Sequence, residues 1–490
     1  MNKLKKNKFY NLADYFEHSL TLARKVKLDE HRANPFLNIL NCTLKTEMQF
    51  PDLFGKKYLV WRLFHSLKGL FGNLIKSIQY WPKSINEAKP VNKVNLIIIS
   101  HLLETSDIRN KQDFYFGTLA KELDNEGIEP CTILINHCGV VQQDLKQSQK
   151  RKTIILPRYY HPLKEIIIIF RLVFASFLMP YVKSRNNFWL KSCLAQCNSQ
   201  SIGNYRIGLM ISNLIFKLKP HFVLFTFEGH GWEKVMMSLS RKMVNPPLFW
   251  GYQHAMLFPG KKAINFKLGK DVDPAHIFTI GKITLKKLKE ESEFVNFSIL
   301  GSVKNSKSKM PHDLSLETKA CLFAPEGVID EVLLMANFAL KAAKLMPEQL
   351  FIVRLHPVLS RKNVKQKLEK FGKIPHNFQL SDYKLSDDLD RSNWVCYRGS
   401  TVVIQAIIRG LRPVFLNFSE NIKENDPLPE SLKFRQVINR EEMLIKLILD
   451  DKKCLLRNNQ ELQECVKFGN EYIMPLDSKV IINKIRSIDK

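Results

Sequence analysis

From Val94 onward the chain repeats one pattern: a short run of Ile, Val, Leu and Phe, a turn with Gly, Pro or a small polar residue, then a longer stretch with helical spacing. Runs apolar on both faces suit the interior of a parallel sheet, and parallel strands need a crossover, usually a helix, between them. The alternation therefore predicts parallel sheets wound on both faces. Expected strands cover 94–100, 131–136, 153–156, 222–227, 248–251 and 277–280, with a further strand end at 298–302. Helices are expected over 113–126, 202–218 and 232–242. A polar, Lys/Ser-rich stretch, Val303–Asp313, interrupts the pattern. It then restarts, with strands over 320–324, 350–355, 394–397 and 413–418 and helices over 327–346, 362–371, 402–409, 441–448, 459–468 and 479–485. The expected fold is α/β, with two facing Rossmann-like doubly wound domains: residues 93–312, and residues 313–490 with the terminal helices. A basic helical extension, residues 1–92, precedes them.

Composition narrows the function classes. The 490 residues exceed one ordinary domain, and 45% hydrophobic residues mark a globular chain. Lys and Arg number 75 against 47 Asp and Glu, a formal net charge of +28. Such a charge favours anionic partners. No zinc-finger, RNP-type or recognition-helix pattern accompanies it, so no specific nucleic acid is expected, although a basic scaffold or nucleic-acid-binding protein stands as the non-enzymatic rival. Nine cysteines carry no paired metal-type spacing; Cys193 and Cys197 share a helix face without a second pair. Reduced thiols in a cytoplasmic protein and no metal site are the expectation.

No secretory signal follows the basic start, Met1–Lys8. The apolar run from Glu165 to Val182 is interrupted by Arg171 and contains Pro180 near its end, which fits a buried or membrane-surface helix better than a span. Phe54 to Trp81 interleaves Trp61, Phe64 and Phe71 with lysines at helical spacing. That segment is either a cap on the first domain or a surface that docks on acidic lipid. The expected location is cytoplasmic, peripheral on the inner face of the cell membrane.

Candidate site residues follow from where strands end. In open α/β sheets ligands lie outside the carboxyl ends of the strands. The run Leu350–Leu355 places Arg354 and His356 at such an end, before Pro357. A guanidinium fork and a ring N–H there suit a phosphate. The next run ends in Gly399-Ser400-Thr401 before a helix, whose free N–H groups attract the same anion. At Ala324-Pro325-Glu326-Gly327 the glycine permits close backbone approach, and Glu326 suits ribose hydroxyls or a helix cap. In the first domain, Glu228 stands in Phe227-Glu228-Gly229-His230 after a strongly apolar strand. A carboxylate presented by flanking glycine suits general-base work, with His230 as rival. His254, in Gly251-Tyr252-Gln253-His254-Ala255, is a candidate proton carrier or orienting residue; Glu228 and Glu233 capping the following helix is the plain structural reading.

With those residues in view, F-E-G-x-x-W-E (227–233), G-Y-Q-H-A (251–255), R-L-H-P (354–357) and R-G-S-T (398–401) together resemble bacterial surface-carbohydrate biosynthesis proteins of the GT-B glycosyltransferase type. The chain is more distantly similar to bacterial sialyltransferases and capsule Kdo transferases. The resemblance covers about residues 94–420, and Phe227 stands where the sialyltransferase pattern has a second acid. It implies that Glu228 is the base, that His356 touches the donor phosphate and that Ser400 and Thr401 hold it. The implied partners are a nucleotide-sugar donor and a glycan or lipid-linked acceptor, with no metal or other cofactor, because the nucleotide sugar is a substrate. A CDP-alditol phosphotransferase of wall-polymer type is the enzymatic alternative. The absence of G-x-G-x-x-G after the first strand and of G-x-x-x-x-G-K-[ST] weighs against a dehydrogenase and a P-loop ATPase.

Overall fold

The computed structural model describes residues 64, 68–80, 94–103, 112–139, 153–171, 199–257, 264–305, 319–356, 359–418, 426–453 and 459–488. Trp61, the Cys193/Cys197 pair, Pro357 and residues 172–182 of the long apolar run lie outside them.

Two parallel sheets organise the chain. The first contains β1 (Leu96–Leu102), β2 (Pro130–Asn136), β3 (Thr153–Ile155), β4 (Phe222–Thr226), β5 (Leu248–Gln253), β6 (His276–Thr279) and β7 (Phe297–Ile299), in the order β3-β2-β1-β4-β5-β6-β7. The second contains β8 (Ala320–Ala324), β9 (Phe351–Val353), β10 (Phe378–Leu380), β11 (Ser392–Tyr397), β12 (Arg412–Leu416) and β13 (Gln436–Ile438), in the order β10-β9-β8-β11-β12-β13. Every strand pair is parallel. The central strands β4, β8 and β11 are buried along their whole length, as apolar runs covered on both faces should be. The fold is therefore the expected α/β pair of doubly wound lobes.

In each sheet the chain first winds outward one way, then returns and winds the other way. The reversal falls between β1 and β4 in the first sheet and between β8 and β11 in the second. Two diverging connections leave a crevice at such a reversal, on the carboxyl side of the strands.

Close packing brings the helices onto these sheets. The helix Ser199–Leu218 lies against Gly231–Ser240 so tightly that a Cβ on Gly208 would come within 2.7 Å of Val235. Gly251 has a similar role inside the sheet, since its added Cβ would stand 2.8 Å from Phe227. The ring of Phe227 is fully buried, edge-on to Phe225 and Phe294. A second acid at 227 would be a carboxylate in the core, which explains physically why this chain has an aromatic there.

The connection between lobes is double. The segment after β7 and the segment 473–477 run side by side, with Ser302 paired in parallel to Pro475. Ser302 N–H donates to Met474 O at 2.7 Å, Met474 N–H to Ile280 O at 2.8 Å and Asp477 N–H to Leu300 O at 2.9 Å. The terminal helix Lys479–Ile488 is tied to the first lobe, with Arg486 2.9 Å from Glu126. Gly301 has φ +80°, and an added Cβ would lie 2.0 Å from the Pro475 carbonyl oxygen. Since backbone, not a flexible side chain, is in the way, Gly301→Ala is expected to cost about 2 kcal/mol. Chemical denaturation of the variant against the wild type checks this, and equal stability would show that the double crossing yields freely.

Of the N-terminal extension, residues 68–80 form a helix that buries Leu70 against Ile168, Ile202 and Val235 of the first lobe. Ser77 Oγ donates to Tyr160 O at 2.5 Å. The adjacent side leaves Phe71, Ile75 and Ile78 exposed. Among the described residues no helix is long and apolar enough to cross a membrane.

Candidate functional site

At the reversal of the first sheet, the ends of β1 and β4 stand next to each other. His101, near the end of β1, approaches Thr226 Oγ1 with its Nε2 at 3.0 Å and His137 Nε2 with its Nδ1 at 2.9 Å. His137 follows β2 directly, so three adjacent strands contribute to one row of polar groups. Burial, then the neighbouring His137, His254 and His230, pushes the His101 pKa down from 6.5 to about 3. His137 is also lowered, first by burial and then by Arg158 and His230. Both rings are therefore neutral near pH 7.

The turn after β4 presents Glu228. Gly229 takes φ +83°, a conformation that favours glycine, and lets the chain reverse before the helix Gly231–Ser240. Glu233, in the first turn of that helix and fully buried, reaches back under the turn. Its Oε1 accepts the Glu228 N–H at 3.0 Å and its Oε2 the Gly229 N–H at 2.9 Å. Burial raises its pKa to about 7 against those bonds and the nearby His230. Of the two carboxylates read as helix caps, Glu233 does fasten the turn, whereas Glu228 points elsewhere.

Glu228 lies between two histidines. His254 Nε2, just beyond β5, is 3.3 Å from Oε1 and His230 Nε2 is 3.5 Å from Oε2. The Glu228 side chain keeps 19% of its surface open. The ring of Tyr115 lies 4.2 Å from that of His254. Tyr115 is placed by Asp113, whose Oδ1 accepts the N–H groups of Tyr115 and Phe116 and the hydroxyl of Ser100, each at 2.8 Å. A partly open carboxylate oriented by two imidazoles can take a proton from a hydroxyl and share it with either ring.

The second reversal, between β8 and β11, is built from backbone turns. Glu326 after β8 fits directly against Gly399 after β11, where an added Cβ would come 1.6 Å from Glu326 Oε1. Gly327 continues the β8 turn, and Thr401 precedes the helix Val402–Ile408. Ser400 is buried, and its Oγ accepts the Val402 N–H at 3.4 Å. Arg398 is buried beside them with its guanidinium 5.3 Å from the Phe418 ring centre. Desolvation lowers its pKa against the pull of Glu331 and Glu326. Among the described residues its Nε has no hydrogen-bond partner.

Arg354 and His356 follow β9 at the same sheet edge, two strand spacings from β11, or about 10 Å. Arg354 Nη1 donates to Asp388 Oδ2 at 2.8 Å and to Tyr383 O at 2.7 Å. Asp388 is fully buried, and its other carboxylate oxygen is paired with Arg391 at 2.8 Å. Part of the fork expected for a phosphate therefore holds this edge together. His356 is exposed at this edge, and desolvation lowers its pKa, so it offers a neutral ring.

Glu228, His230 and His254 are thus brought into one group, and the second-lobe candidates share one sheet edge. Sequence reasoning passed over His101, His137, Thr226, Lys304 and Arg398 as functional candidates. The rule that singled out His254 also finds His101 and His137, since both close apolar runs. Lys304 has no local signal. Among the described residues no group of three or more His, Cys, Asp or Glu is arranged to hold a metal ion.

No protein-family model matches the sequence, and no curated protein matches it. Solved structures with a similar fold include MnaA of S. aureus with UDP, at 12% identity over 80% of this chain and 96% of that one, TM-score 0.48. A glycosyltransferase of Rickettsia africae matches at 13% over 81% and 99%, TM-score 0.46. A UDP-GlcNAc 2-epimerase of Neisseria meningitidis bound to UDP-GlcNAc matches at 11% over 80% and 100%, TM-score 0.46.

Proposed function

We propose that this chain is a glycosyltransferase that moves a sugar from a nucleotide-activated donor to a growing surface polysaccharide or lipid-linked glycan. The observation that carries this reading is Glu228, held between His230 and His254 at the reversal of the first sheet. In the reaction, the acceptor hydroxyl gives its proton to Glu228 as its oxygen bonds to the anomeric carbon. The bond from that carbon to the donor phosphate breaks, and the nucleotide leaves with the electron pair. No metal or other cofactor takes part in this scheme. The donor lies at the edge of the second sheet, with Glu326, Gly327 and Gly399 shaping the floor. His356, Ser400 and Thr401 contact its phosphates. The exposed Phe71, Ile75 and Ile78 support a peripheral position on the inner membrane face, near a lipid-linked acceptor.

A thermal-shift screen against nucleotide sugars and free CMP, UDP and GDP tests the donor half. Ligand at a hundred times its Kd stabilises the native state by about 2.7 kcal/mol, so one nucleotide is expected to stand out. His356→Ala should weaken that ligand because the ring meets a phosphate already present in the ground state. A screen in which no nucleotide shifts the transition sinks the reading.

A further inference from the structure

We propose that Lys304 is the anion-binding residue of the first-lobe site, seating a phosphate or carboxylate oxygen of the ligand beside Glu228. This deepens the reading above and rests on it for the identity of the ligand. The position of Lys304 is set by the connection between lobes. Ser302 is paired to Pro475, its Oγ accepts the Lys304 N–H at 3.2 Å, and its carbonyl accepts the Asn305 N–H at 3.3 Å. Val303 packs on the Gly117 turn so closely that a Cβ there would come within 2.5 Å of it. The turn thereby directs Lys304 toward the aromatic wall of the site, where Nζ stands 5.5 Å from the Phe114 ring centre and 5.8 Å from that of Tyr115. Tyr115 is the ring that packs on His254.

Among the described residues no hydrogen bond or ion pair holds this ammonium. Desolvation lowers its pKa, and Glu228 is the group that acts in the opposite direction. Two aromatic faces only partly offset the desolvation of an ammonium. Glu228 is already shared by two histidines, and Glu233 spends both oxygens on backbone N–H groups. An incoming anionic oxygen supplies the missing partner. The donor diphosphate and an acidic sugar on the acceptor both carry one.

The full-length protein and Lys304→Met are titrated with inorganic phosphate, UDP, glucuronate and neutral glucose. A charge-assisted bond of this kind sets the expectation: Lys304→Met binds phosphate about tenfold more weakly, Lys304→Arg keeps most of the affinity and glucose is unaffected. A loss of phosphate and UDP binding that spares glucuronate assigns Lys304 to the donor diphosphate, and a loss of phosphate and glucuronate binding that spares UDP assigns it to an acidic acceptor. Equal phosphate binding by wild type and Lys304→Met overturns the proposal, as does a wild type that binds none of the anions. Should Lys304→Met not fold, acetylation of Lys304 in the wild type decides, with protection by phosphate expected and equal labelling contrary. Phosphate binding through Lys304 without any sugar transfer would keep this inference and remove the transfer reading.

Discussion

Replacing Glu228 by glutamine is expected to lower sugar transfer about a hundredfold while leaving donor affinity and the fold in place. The fold survives because the turn is held from beneath: both of its N–H groups are received by Glu233, not by Glu228. Donor affinity survives because the proposed donor residues lie on the other sheet. Glutamine keeps the size of the side chain but can no longer accept the acceptor's proton. Rates are to be measured with donor and acceptor saturating, so that only the chemical step is compared. Full turnover in Glu228→Gln would make this carboxylate an orienting group and hand the role of base to His230 or His254, which lie 3.5 and 3.3 Å from it.

The strands and the carboxylate were legible for one reason: both depend on short-range pattern. β8 coincides with its expected run, Ala320 to Ala324, because five buried residues are bounded by a polar segment and a Pro-Glu-Gly turn. β10 and β13 escaped, since each has three residues and only one is buried, too few to set a period. The helix Lys282–Glu291 escaped as well, having only Thr284 and Leu288 buried under a lysine-rich surface. His101 was lost by a boundary error: the first strand was read as ending at Ser100, and it continues to Leu102. Lys304 was lost for a deeper reason. Its segment looks like a polar linker, and only its pairing with residues 473–477, far along the chain, fixes it beside Tyr115. The anchoring of the terminal helix to the first lobe is non-local in the same way.

Acid is expected to unfold the first lobe through His101, by an amount that exceeds any other single titration described above. In the folded chain its pKa is about 3 instead of 6.5. Between these values the unfolded chain binds the proton and the native chain does not, so stability present above pH 6.5 is lost as pH falls toward 3. Each tenfold in proton affinity is worth about 1.4 kcal/mol, which puts the loss on the order of 3–5 kcal/mol, the lower figure allowing for solvent at the sheet edge. Glu233 acts with the opposite sign. Its folded pKa is raised to about 7, so the native chain holds a proton that the unfolded chain has released, and stability falls as pH rises from 4.5 to 7. The two effects offset each other between pH 4.5 and 6.5, leaving His101 dominant below that window and Glu233 above it. Urea midpoints for the wild type, His101→Gln and Glu233→Gln at pH 7.5, 5.5 and 4 separate them. His101→Gln should start lower, having lost its bonds to Thr226 and His137, yet gain stability on acidification to pH 4, because the Glu233 effect is then unopposed. Glu233→Gln should lose more than the wild type between pH 7.5 and 5.5, because the opposing carboxylate is gone. Parallel curves for all three proteins would show that neither group changes its proton affinity on folding, and that the row of histidines at this edge is open to water.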